Sequence, residues 1–221
     1  MKQLWRDNGL SLTLFGLFLL FLVGQALTGW RDEVNDLSAH GRPAIRLVEY
    51  LGSGAFLEAT MENWESEFLQ MSAYVIFTVF LYQKGSSESK DPNRKEVVDR
   101  DPRTVARRED MPGPVRAGGW KLWWYERSLS LALLGLFLLA FGLHAVGGAA
   151  HYNEEQMLHG ESRLSVLAYM ASARFWFESF QNWQSEFLSI AVMVVLSIFL
   201  RQRGSPESKP VDSPHHSTGK N

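Results

Sequence analysis

No cysteine occurs among the 221 residues. Disulfides, thiol nucleophiles and thiolate metal sites are thereby excluded, although the absence identifies no compartment. An excess of either charge is lacking too, since 22 Lys+Arg stand against 24 Asp+Glu. A strongly basic nucleic-acid binder is excluded on that ground. Also missing are a Gly-rich phosphate loop, a Gly-x-Ser-x-Gly elbow, a His-Glu-x-x-His helix and an Asp-rich calcium loop. The chain therefore carries no signature of an enzyme, and no catalytic residue, cofactor or metal is expected.

Another absence is local. Mean hydropathy is −0.13, a value ordinary for a soluble protein. Yet Asn8 to Trp30 and Ser128 to Ala150, 23 residues each, contain no Asp, Glu, Lys or Arg. At about 1.5 Å per residue each stretch makes a helix of about 34 Å, enough to cross a hydrocarbon core of about 30 Å. A soluble globular protein is excluded, and the average is the mean of apolar spans and polar connections.

What is present is a repetition. Offset by 119 residues and without a gap, Trp5 to Lys90 aligns with Trp124 to Lys209, and 32 of the 86 pairs are identical. Biased composition explains matches between Leu-rich runs, but not the match of Asn63-Trp-Glu-Ser-Glu-Phe-Leu69 with Asn182-Trp-Gln-Ser-Glu-Phe-Leu188. The chain reads as a tandem duplication. The first apolar block, which could pass for a signal peptide, has its copy deep inside the chain and is therefore read as a retained span.

The expected fold is an all-α integral membrane protein with four transmembrane helices from a two-span repeat. The first repeat covers 1–84, with spans at about 9–29 and 63–83. The second covers 120–203, with spans at about 128–149 and 182–202. Between them, 85–119 reads as a flexible cytoplasmic linker, and 204–221 as a disordered cytoplasmic tail, both rich in Pro, Ser and charge. With four spans and both termini inside, 17 of the 22 Lys+Arg lie on the cytoplasmic side, as the positive-inside rule requires. The outer segments carry apolar residues at spacings of three and four after Pro43 (Ile45, Val48, Leu51, Ala55, Ala59) and at Leu164, Leu167, Ala168 and Ala171. Each is expected to form an amphipathic helix on the extracytoplasmic side.

Candidate chemistry follows the repeat. Asn63, Ser66 and Glu67, with their copies Asn182, Ser185 and Glu186, head the second span of each repeat. A carboxylate at membrane depth points either to interhelical bonding or to an ion or proton path, with metal binding a third reading. Gln25 and His144, aligned in the first and third spans, read as interhelical polar contacts. His40-Gly41 and His159-Gly160 read as helix ends or, less simply, as a metal pair across the repeat. Glu58, Glu62 and Glu65 make an anionic helical face read as solvated, although it could gather cations near Glu67. Trp64, Trp183, Trp120, Trp123 and Trp124 are expected as interfacial anchors.

At the Leu-Phe-Gly-Leu-Phe-Leu run and Glu62-Asn-Trp-Glu-Ser-Glu-Phe-Leu-Gln70, the chain resembles a family of small bacterial integral membrane proteins known only as a domain of unknown function. The resemblance covers both copies. It implies a bacterial cytoplasmic (inner) membrane location, and no reaction or substrate. The expected function is a non-enzymatic structural or interaction component of that membrane, with the lipid bilayer and a second copy or another membrane protein as partners. The alternative is a small proton or cation transporter or channel using Glu67 and Glu186.

Overall fold

A computed structural model describes residues 2–219. Residues 1, 220 and 221, the last two belonging to the expected tail, lie outside the described residues. The helices are α1 (Lys2–Ala39), α2 (Leu47–Leu51), α3 (Gly54–Phe80), α4 (Gly113–Ala117), α5 (Gly119–Tyr125), α6 (Ser128–Leu158), α7 (Val166–Met170) and α8 (Ala173–Phe199). Two short 3-10 turns, Val97–Asp99 and Pro102–Thr104, lie between α3 and α4. No strand occurs among the described residues.

Three helices, α1, α6 and α8, are long and apolar enough to cross a membrane. That is one fewer than the four expected, and α3 is the one that falls short. Glu58, Glu62, Glu65 and Glu67 occupy its first half. Its uncharged remainder, Phe68 to Phe80, is a helical segment of about 20 Å.

The ends of the long helices follow from local sequence. α1 and α6 both stop at a His-Gly pair whose glycine turns left-handed, Gly41 at φ 69° and Gly160 at φ 72°. The amide of Arg42 returns to the carbonyl of Leu37 at 2.8 Å, and that of Glu161 to Gln156 at 2.9 Å, the six-to-one bond of a Schellman end. Glycine is required there because a Cβ disfavours that backbone conformation.

The amphipathic helix expected over residues 45–59 is divided in two. α2 is only five residues long, and Gly52-Ser53 ends it before α3 begins. The Ser53 hydroxyl accepts from the amide of Phe56 at 3.3 Å and so caps the new helix. The second outer segment breaks in the same way, with Ser172 accepting from Phe175 at 3.3 Å.

By its contacts the chain divides into two units, each assembled from two stretches of sequence. One contains the residues up to Met61 together with Gly142–Phe175; the other contains Glu62–Phe141 and the residues from Trp176 onward. In the first unit Tyr50, Tyr169 and Phe175 are buried. The indole of Trp30 donates to Ile45 O at 2.8 Å, fastening α1 to the strap before α2. Asn153 fastens α6 to the strap before α7 with two bonds, to the carbonyl and from the amide of Leu164.

In the second unit Trp183 has Phe137, Phe141, Trp176 and Phe180 around it at centroid distances of 5.5–6.5 Å. Its indole donates to Glu65 Oε1 at 3.0 Å. Gln70 donates to Glu186 O at 2.8 Å and to Ser189 Oγ at 3.1 Å, joining α3 to α8. Among the described residues the tail after α8 contains turns and bends, and it closes around Lys209. That side chain is buried, and its ammonium donates to the carbonyls of Gly85 (2.5 Å), Ser217 (2.8 Å), His215 (3.1 Å) and Pro214 (3.4 Å). Lys90, its counterpart at the 119-residue offset, pairs instead with Asp99 at 2.5 Å.

Candidate functional site

The densest polar cluster of the first unit is built on Glu58. α3 begins at Gly54, whose backbone lies so near α6 that a Cβ there would come within 2.6 Å of His151 N and 2.8 Å of Gly147 O. A Cβ on Gly147 would in turn lie 2.7 Å from Glu58 N. These two glycines let the backbones touch, and the close approach delivers Glu58, one turn along α3, to the side of α6.

Glu58 is 7% exposed, and both its oxygens are engaged. Oε2 lies 2.5 Å from His151 Nδ1, and Oε1 accepts from the Tyr169 hydroxyl at 3.1 Å. The carboxylate thus ties α3 to α6 and to α7. Beyond it, Nε2 of His151 is 3.8 Å from Glu155, one turn further along α6. Glu155 is held by Arg174 at 2.5 Å, and the Arg174 guanidinium lies over the Tyr152 ring at 5.4 Å. A carboxylate this far from water is costly unless hydrogen-bonded and matched by positive charge, and His151 and Tyr169 meet both needs. The cluster can bind and exchange a proton through His151.

Tyr169 reaches Glu58 by passing Gly148, where a Cβ would lie 2.5 Å from the phenol oxygen. Tyr50 does the same at Gly29, its hydroxyl against the glycine. Burial, with the charges of Glu33 and Asp32, holds the Tyr50 hydroxyl above the ordinary tyrosine pKa.

The residues singled out from the repeat are placed differently. Asn63 and Glu67 are exposed on α3, whereas Ser66 is buried and its hydroxyl donates to Asn63 O at 2.8 Å. On α8 Ser185 repeats that bond to Asn182 O at 2.8 Å, and Asn182 donates to Glu178 O at 3.1 Å. Glu186 is half-buried within electrostatic reach of Glu67. Gln25 donates to Thr60 Oγ1 at 3.3 Å, from α1 to α3. His144 is buried, stacked on Phe175 at 4.9 Å. Trp64 and Trp183 are half-buried; Trp120, Trp123 and Trp124 are exposed.

A family model described as a domain of unknown function (DUF6766) matches residues 1–220. The chain belongs to this family. No curated protein and no solved structure matches it.

For this DUF6766 chain, sequence reasoning passed over the buried carboxylates Glu58 and Glu65 in favour of Glu67. Glu58, Glu62 and Glu65 read as a solvated face, whereas Glu58 and Glu65 are buried, Glu65 completely. The faint signal was their spacing of seven, which puts both on one side of α3. Nothing local marked that side as the packed one.

Proposed function

We propose that the chain is a multi-pass protein of the bacterial cytoplasmic membrane with a structural or interaction role and no enzymatic one. The observation that carries this reading is where polar side chains of the long helices direct their hydrogen bonds. Gln25 and Gln70 bond from one helix to another, Trp183 meets Glu65, and Ser66 and Ser185 return theirs to their own helix. Contacts of the first kind fasten helices, and those of the second satisfy a hydroxyl at depth without a ligand.

In this reading the chain has four spans with both termini cytoplasmic, α3 serving as the second, and arose by tandem duplication. The element bounds support the duplication: α2 and α7, and likewise α3 and α8, begin and end 119 residues apart. The Glu58 cluster then lies on the extracytoplasmic side. A second reading, a proton or cation conductor through Glu67 and Glu186, draws support from the electrostatic proximity of those two carboxylates.

Flux measurements in liposomes separate the two. Wild type and a Glu67→Gln/Glu186→Gln variant should both show proton and monovalent-cation flux no greater than protein-free vesicles. Flux in the wild type that the variant abolishes, with its thermal stability intact, would overturn the structural reading. Topology is tested by cysteine labelling in this cysteine-free chain, using two exposed positions. In intact cells a cysteine at Ser38 should react with an impermeant reagent and one at Glu109 should not; reaction at Glu109 would overturn the four-span arrangement.

A further inference from the structure

Gly118 and Gly119 are consecutive left-handed residues, at φ 69° and φ 57°. They fold α4 back against α5, a reversal that side chains with a Cβ would resist. The result is a groove of about 880 Å³ within the second unit, running from Pro114 and Ala117 on α4, past Trp120, Lys121 and Trp124 on α5, to Leu131 on the first turn of α6.

The groove has an apolar end and a basic end. At Leu131 it reaches the part of α6, Ser128 to Ala150, that contains no Asp, Glu, Lys or Arg. At its other end stands Lys121, with Arg116 in the last turn of α4. Arg127 lies 4.5 Å over the Trp123 ring, and Lys121 is 5.9 Å from that of Trp120. The one acid in the segment, Glu126, is taken by a two-pronged contact from Arg103 at 2.7 and 3.1 Å. Arg127 lies 3.4 Å from the same carboxylate and one turn from Leu131, so the cation at the basic end is Lys121.

We propose that this groove binds one anionic phospholipid, its phosphate at Lys121 and an acyl chain laid over Trp124 and Leu131. Charge complementarity selects the headgroup, and the apolar continuation onto a helix of membrane-spanning length selects a lipid over a soluble phosphate. Tryptophans at such a boundary place an amphipathic ring where headgroup meets hydrocarbon. The inference rests on the membrane placement proposed above, and is independent of the question of ion flux.

The test uses the full chain in phosphatidylcholine nanodiscs containing a trace of spin-labelled phosphatidylglycerol or, in parallel, spin-labelled phosphatidylcholine. The immobilised lipid is measured by electron paramagnetic resonance. Phosphatidylglycerol should be preferred about fivefold or more, since a basic side chain near the surface contributes about that factor. It should saturate at one lipid per chain. Lys121→Gln should reduce the preference to near unity, and Ala117→Trp, which fills the groove and keeps every charge, should abolish the saturable site. Equal immobilisation of the two lipids, or a preference that survives both variants, would overturn the proposal. So would displacement by millimolar glycerol phosphate, which would identify a soluble ligand. A chain that alkaline carbonate strips from vesicles would instead refute the membrane placement itself.

Discussion

Tyr50 and Tyr169 occupy corresponding places 119 residues apart, and their steric surroundings match closely. Each lies in a five-residue helix, is buried, and sets its hydroxyl against a glycine of the preceding long helix, Gly29 or Gly148. Each meets a phenylalanine ring edge-on, Phe56 at 5.5 Å and Phe175 at 5.6 Å. The polar chemistry differs. Tyr169 donates to Glu58, whereas the residue aligned with Glu58 is Phe177, and the one aligned with His151 is Asp32. The slot for a tyrosine depends on backbone proximity and glycine, and it persists in both places. The charged partner depends on individual side chains, and only one slot has the carboxylate and imidazole together.

The largest expected effect comes from removing that partner. Glu58→Leu should destabilise the protein by about 3–5 kcal/mol, because it removes the buried carboxylate that bonds both His151 and Tyr169. Phe177→Leu should cost far less, since Phe177 is 67% exposed. Denaturant unfolding in detergent, followed by circular dichroism, measures both, and equal losses would erase the asymmetry. Next, Tyr169→Phe should cost about 1.5–3 kcal/mol for a hydrogen bond to a charged group, and Tyr50→Phe less than about 1 kcal/mol. A reversed order in the same unfolding measurement would place the polar anchor at the wrong tyrosine.

The glycine substitutions are the most discriminating. Gly29→Ala and Gly148→Ala should each cost about 1–3 kcal/mol through overpacking. At Gly29 the nearest obstacle is the Tyr50 hydroxyl itself, with the ring carbon Cζ at 3.0 Å. At Gly148 the Tyr169 ring carbons stand at 2.6 and 2.8 Å, almost as close as the oxygen. Adding Tyr50→Phe should therefore rescue most of the Gly29→Ala loss, while Tyr169→Phe should not rescue Gly148→Ala. Melting temperatures of the two double variants decide the matter, and rescue at both slots would mean that they are sterically equivalent.

Much of the fold was legible because it depends on local pattern. Charge-free runs identified α1 and α6, and the His-Gly pairs read as helix ends do end them. Helix α1 continues nine residues past Trp30, through Arg31, Asp32 and Glu33, because charge ends a membrane-compatible stretch without ending a helix. The break at Gly52-Ser53 was hidden by apolar spacing that continues across it. The Glu58 cluster was out of reach for another reason. Its partner His151 is 93 residues away, so burial of Glu58 is decided by a contact that no periodicity encodes. The match of Asn63–Leu69 with Asn182–Leu188 favours Glu67 and Glu186, carboxylates that recur, over Glu58, which does not.

Lys209 carries one more implication. Carbonyl oxygens converging on a positive charge form the kind of coordination shell that, in potassium-selective pores, replaces the water around a bare ion. Here the charge is tethered to the chain that surrounds it, and Gly85 adds an oxygen from 124 residues away. The tail and the start of the linker thus close on a cation they supply themselves.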